Sequence, residues 1–250
     1  MKLLRYTHEG REAFGFLRKD TVYELRGDLL GEYEATGAAL PLTALTLLPP
    51  INPTKAVCVG LNYRDHAEEM NLEIPDEPVL FLKPSTALLP PGGTIRWPRL
   101  SSQIDYEGEL AIVIGKTAHE VPPERAKEYI LGYTCANDVT ARDLQPGHGQ
   151  WTLAKGFDTF LPLGPWVETM LDPGALEIET LLDGRVMQRS NTRHLIFDPL
   201  FLLSYVSQVM TLLPGDVILT GTPSGVGPMV HGSQVEIRIE GIGSLQNTLE

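Results

Sequence analysis

Two cysteines in 250 residues are too few for a disulfide scaffold. Cys58 and Cys135 each sit in an apolar run, Ala-Val-Cys-Val and Gly-Tyr-Thr-Cys-Ala, where a reduced and buried thiol is expected. Long hydrophobic runs are missing too. The richest, Leu200 to Val206, falls far short of the roughly 20 residues a spanning helix needs. The two leucines of Met1-Lys-Leu-Leu-Arg-Tyr end too soon for a signal peptide. A cytoplasmic protein with no membrane contact is the expectation. Basic residues are outnumbered, 20 Lys and Arg against 32 Asp and Glu, giving a net charge of −12. That surface repels phosphate backbones and anionic lipid, and no basic stripe offsets it, so no nucleic-acid partner is expected. The chain also lacks internal repeats, low-complexity tracts and coiled-coil heptads.

What is present suits an enzyme-sized globular chain. A hydrophobic fraction of 42% is ample for a core. Residues 1–52 read as a small β-rich region, closed by Pro49-Pro50-Ile51-Asn52-Pro53, and residues 53–250 as the main, catalytic domain. Short Val-, Ile- and Leu-rich segments bounded by Gly or Pro predict strands at Ala56–Gly60, Val79–Leu82, Glu109–Ile114, Leu131–Ala136, Leu176–Leu182, Val217–Thr220 and Val235–Ile239. Helices are expected at Tyr63–Met70, after Pro122-Pro123-Glu124, and from Asp198-Pro199, where Asp caps free N–H groups and Pro has none to satisfy. The class is α+β with strands dominant.

The segment Asp105-Tyr-Glu107-Gly-Glu109 enters a strand, so Glu107 and Glu109 share a face with Cα atoms about 7 Å apart. Carboxylates that close call for a cation or a proton between them, or else for the solvated face of an edge strand. Asp138, where the next apolar run turns, adds a third carboxylate or merely caps a loop. Three oxygen donors without His or Cys suit Mg²⁺ or Mn²⁺, then Ca²⁺, and not zinc. His66 and Glu69 are helix neighbours at i, i+3, either an incidental surface pair or an imidazole oriented as a general base. Arg142, Gln145, Lys155 and, less clearly, Lys83 supply an anion pocket or structural ion pairs. Gly221-Thr222-Pro-Ser-Gly225-Val-Gly227 follows a strand but lacks the Gly-Lys-Ser/Thr ending of a phosphate loop. It is expected to bring backbone N–H groups and the Thr222 hydroxyl to a ligand.

Together these pieces resemble the fumarylacetoacetate hydrolase family over residues 55–240. They are Gly60-Leu-Asn-Tyr63, Asp65-His-Ala-Glu-Glu69, Phe81-Leu-Lys-Pro-Ser-Thr86, Tyr106-Glu-Gly-Glu109, Asp138-Val-Thr-Ala-Arg-Asp143, Lys155-Gly-Phe-Asp158 and the Gly221–Gly227 loop. The resemblance implies a mixed β roll, a homodimer and a divalent metal on Glu107, Glu109 and Asp138. It further implies a catalytic pair His66 and Glu69 on a lid, with Arg142, Gln145, Lys155 and Thr222 holding an oxo-carboxylate substrate. The short N-terminal region resembles the smaller acylpyruvase and dioate-isomerase/decarboxylase branch. There the shared chemistry is a metal-stabilised enolate, which serves hydrolysis, decarboxylation or isomerisation alike. Because Arg142 and Lys155 suit an anionic ligand, a 2-hydroxyhepta-2,4-diene-1,7-dioate isomerase or decarboxylase is favoured. Acylpyruvate hydrolysis and oxaloacetate decarboxylation are the alternatives, and a non-enzymatic module steadied by Ca²⁺ is the remaining rival.

Overall fold

The computed structural model describes residues 1–69, 73–147 and 150–250, the side chains of His66 and Glu68 excepted. Strands dominate, and they form three sheets. The largest has twelve strands, and its spine runs from Leu161–Glu168 through Ile130–Asn137, Gly108–Ile114, Val217–Leu219 and Lys55–Gly60 to the edge strand Val79–Pro84. Within that spine only Val217–Leu219 and Lys55–Gly60 run parallel.

Both faces of the sheet's central strands are covered, which is why Gly108–Ile114 and Lys55–Gly60 read as unbroken apolar runs rather than alternating ones. In Gly108–Ile114 the side chains of Leu110, Ile112 and Ile114 enter one hydrophobic cluster. Ala111 and Val113 enter another, on the opposite face, with Cys58 and Ala136. The first cluster is closed by Ile178, Val235 and Ile237 of a five-stranded sheet. Both cysteines are buried and free, as expected.

Three α-helices occur among the described residues: α1 (Arg64–Glu69), α2 (Thr152–Lys155) and α3 (Pro199–Val209). Helix α3 starts as its sequence predicts, the Asp198 carboxylate accepting N–H groups of Leu200 and Phe201 at 2.9 Å each. Helix α1 falls in the expected Tyr63–Met70 segment, of which Met70 lies outside the described residues. The segment after Pro122 is 3-10 helix over Pro123–Tyr129 instead of α-helix. No helix among the described residues is long and apolar enough to cross a membrane.

The N-terminal strands Lys2–His8, Arg11–Arg18, Thr21–Gly27 and Tyr33–Pro41 extend the large sheet, joining it where Lys2–His8 pairs with Leu161–Glu168. Residue 52 therefore falls between two strands of one continuous sheet, Thr46–Leu47 and Lys55–Gly60. A small third sheet sets Ile104–Tyr106 between Thr140–Ala141 and Gly227–Met229. The candidate site lies where this small sheet meets the large one.

Candidate active site

The strand register gathers the three carboxylates. Gly108 stands opposite Asn137 and Glu109 opposite Ala136. One step further back the Asp138 N–H donates to the Glu107 carbonyl at 2.9 Å, so these two residues face each other just beyond the paired strands. Glu109, two residues along from Glu107, shares its face. The carboxylates of Glu107, Glu109 and Asp138 are buried and offer oxygens that all lie within 4.8 Å of one another.

The sequence leaves a bound cation, a proton and ion pairs open as neutralisers of the cluster, and the structure shows the ion pairs. The Lys155 ammonium bridges Glu107 Oε2 and Asp138 Oδ2 at 2.7 Å each. Arg142 meets Glu107 Oε1 at 2.5 Å and Asp105 Oδ2 at 2.8 Å. Lys83, fully buried, lies 2.7 Å from Asp138 Oδ1. Arg142 and Lys155 are thus counter-ions of the cluster itself, so their presence does not by itself require an anionic ligand. Burial alone would raise the pKa of Glu107, but Lys155 and Arg142 hold it down at about 2. Glu109 has no ion pair among the described residues. Burial, then Asp138 and Glu107, push its pKa well above the usual carboxylate range, although the Gly221 N–H donates to it at 2.6 Å.

The donor set fits a hard divalent cation. All three donors are carboxylates, and Asp138 Oδ1 is a buried acceptor that receives no hydrogen bond. The reason is visible at Lys83. Its Nζ donates to the carbonyls of Val139 at 2.9 Å and of Lys155 and Phe160 at 2.8 Å each, which uses every N–H of an ammonium. Glu109 likewise accepts on Oε2 and keeps its other oxygen for a ligand.

The remaining expected site residues are placed as follows. Gln145 Oε1 accepts from Arg142 at 2.5 Å, which leaves the amide NH₂ to donate. The Thr222 hydroxyl is buried, donating to the Gly108 carbonyl at 3.0 Å and accepting from Gln188 at 2.8 Å. The loop expected to offer N–H groups to a ligand spends two of them on carboxylates of this chain, Gly221 on Glu109 and Gly225 on Glu69. Gly221 and Gly225 have φ of +98° and +93°, conformations that a side chain disfavours. Glu69 accepts from Gly225 at 3.2 Å through both oxygens, so α1 is drawn onto the loop that also holds Glu109. The His66 side chain lies outside the described residues.

Three contributors are barely legible from sequence. Asp105, which pairs with Arg142, continues the Asp-x-Glu-x-Glu alternation onto the same face. Thr140 donates to Glu107 Oε1 at 3.1 Å, and Gln188 braces Gly108, its Oε1 accepting that N–H at 3.0 Å. Gln188 lies some eighty residues away in a polar strand with no local signal.

Residues 55–250 match the family described as fumarylacetoacetate (FAA) hydrolase C-terminal, and residues 1–50 match the one described as Rv2993c-like, N-terminal. The chain belongs to the fumarylacetoacetate hydrolase family. A crystal structure of 2-hydroxyhepta-2,4-diene-1,7-dioate isomerase from Mycobacterium marinum is 45% identical, with a TM-score of 0.93 over 100% of this chain and 98% of that one. The mitochondrial oxaloacetate tautomerase Fahd2a of Rattus norvegicus is 42% identical over 85% of this chain and 73% of its own. Fumarylpyruvate hydrolase from Pseudomonas aeruginosa, solved in complex with Mn²⁺ and pyruvate, is 34% identical with a TM-score of 0.75, over 80% of this chain and 90% of that one.

Proposed function

We propose that the protein is a divalent-metal-dependent isomerase that moves a proton on a 2-oxo or 2-hydroxydienoic dicarboxylic acid of the 2-hydroxyhepta-2,4-diene-1,7-dioate type. Keto–enol exchange of oxaloacetate is the same proton transfer on a shorter acid, and decarboxylation is a further outcome of the same carbanion. The observation that carries the reading is the buried cluster of Glu107, Glu109 and Asp138 with cations packed against it. The relatives named as an isomerase and a tautomerase support it. Mg²⁺ or Mn²⁺ held by the three carboxylates would supply Lewis acidity toward the adjacent oxo and carboxylate oxygens of the acid.

The chain's own groups do the rest. Burial works against the charge on Lys155, yet Asp138 and Glu107 keep its pKa above the ordinary lysine value, so it acts as a fixed ammonium facing developing negative charge and not as a base. Arg142 fixes Gln145, whose amide NH₂ is free to bind a substrate oxygen. His66 is the group assigned to take and return the proton at carbon. The protein is read as a cytoplasmic homodimer.

Water-dependent cleavage of an acylpyruvate is the second reading, favoured by the His66–Glu69 pairing in sequence and by the relative named as a fumarylpyruvate hydrolase. One assay in deuterated, heavy-oxygen water with Mn²⁺ separates the two. Isomerisation places deuterium at carbon without new oxygen in any carboxylate, and His66→Ala slows it by about 10²–10⁴ while Mn²⁺ binding persists. Heavy oxygen in a carboxylate product, with acylpyruvates turned over far faster than dienedioates or oxaloacetate, would overturn the first reading.

A further inference from the structure

Lys83 is among the least accessible charges in the molecule, at 0% exposure, on the edge strand Val79–Pro84. Its three N–H groups are spent on the carbonyls of Val139, Lys155 and Phe160. Its charge nonetheless lies 2.7 Å from Asp138 Oδ1, an oxygen to which it gives no hydrogen bond. With its N–H groups directed at the three carbonyls, the ammonium acts on Asp138 chiefly by charge. Lys155 and Arg142 differ, since they hydrogen-bond the carboxylates directly. Counting Asp105, the cluster holds four carboxylates against three cations, of which Lys83 is the one with no hydrogen bond to any of them.

We propose that Lys83 is a positioning residue that sets the charge balance of the site, weakening its hold on a divalent cation and strengthening its hold on an anionic acid. The inference rests on the metal-site reading above. Without this charge the carboxylates attract a dication more strongly, and the loaded site is less positive toward a dianion. A simple structural role would instead weaken both.

The test is calorimetry on Lys83→Met, similar in shape and uncharged, and on Lys83→Gln, whose amide keeps two donors for the carbonyls. Mn²⁺ affinity should rise by about tenfold or more, while oxalate, a small dianion, should bind the Mn²⁺-loaded variants about tenfold or more weakly. The Tm gain on adding Mn²⁺ should be correspondingly larger than in the unmodified protein. Both affinities falling together, or neither moving, would overturn the inference, and so would failure of both variants to fold even with Mn²⁺ present. If the unmodified protein binds no Mn²⁺, the metal-site reading itself fails, and that result is distinct from either.

Discussion

Glu109 is the carboxylate whose proton governs how the cluster behaves without a cation. Burial raises its pKa first, and the charges of Asp138 and Glu107 raise it further. A carboxyl raised in the folded state stabilises the fold fully below its free value, and that contribution is lost as pH rises through the raised one. The metal-free protein should therefore lose stability as pH rises above the ordinary carboxyl value, until Glu109 ionises in the folded state. A divalent cation competes for the same oxygens, so Mn²⁺ affinity should climb with pH by up to about tenfold per unit until Glu109 ionises. Glu109→Gln keeps the shape and can still accept the Gly221 N–H. It should fold, bind Mn²⁺ at least about a hundredfold more weakly and lose most of that pH dependence. Unchanged Mn²⁺ titrations in this variant would remove Glu109 from the site. At this scale the sequence was informative, since two-residue spacing placed Glu107 and Glu109 together. It offered ion pairs for Lys83, Lys155 and Arg142 without naming their partners, because Lys83 and Lys155 reach Asp138 through contacts that local pattern does not encode.

Among the elements, the parallel pair Lys55–Gly60 and Val217–Leu219 needs a fastener, since no hairpin joins its strands. Asp216 provides it from a fully buried position at the start of the second strand. Its carboxylate accepts from Thr54 N–H at 3.0 Å, Thr54 hydroxyl at 2.6 Å, Lys55 N–H at 3.2 Å and Leu213 N–H at 2.8 Å, and it pairs with the Lys55 ammonium. These donors outweigh burial and hold its pKa below the ordinary aspartate value. The stabilisation is complete above the free value and lost as pH falls through the lowered one. Asp216→Ala strands several donors and should cost about 3 kcal/mol, lowering Tm by roughly 6–12 °C in a chain of this length. The deficit should shrink in acid, where the original protein loses the same bonds. A thermal scan showing no loss at neutral pH would deny Asp216 this role. Helix α3 was readable because its cap is local, Asp198 before Pro199. The strand Leu161–Glu168 was not, because Pro162, Gly164 and Pro165 mask a segment that pairing with Ile130–Asn137 and Lys2–His8 makes extended.

At the scale of the whole molecule, strand-dominated architecture followed from segment length and composition. The merger of residues 1–50 into the large sheet did not, since it depends on Lys2–His8 finding Leu161–Glu168 far along the chain. Such pairings are fixed by which faces remain to be buried, and no local rule states them. The same consideration bears on assembly. The large sheet ends at Val79–Pro84, a strand with no further neighbour among the described strands. Val79 and Leu82 are 40% and 47% exposed there, and Leu153 of the adjoining helix α2 is 67% exposed. An unpaired edge flanked by exposed apolar side chains is a ready template for a second strand or chain, which would also remove that apolar area from water. We propose that the homodimer forms across this edge. Light scattering at micromolar concentration should then return about twice the 27.5 kDa of one chain. Leu82→Glu with Leu153→Lys should shift it toward one chain, leaving Mn²⁺ affinity in place because neither side chain touches the carboxylates. A monomer at all concentrations would refute the dimer, and a dimer indifferent to both substitutions would place its interface elsewhere on the molecule.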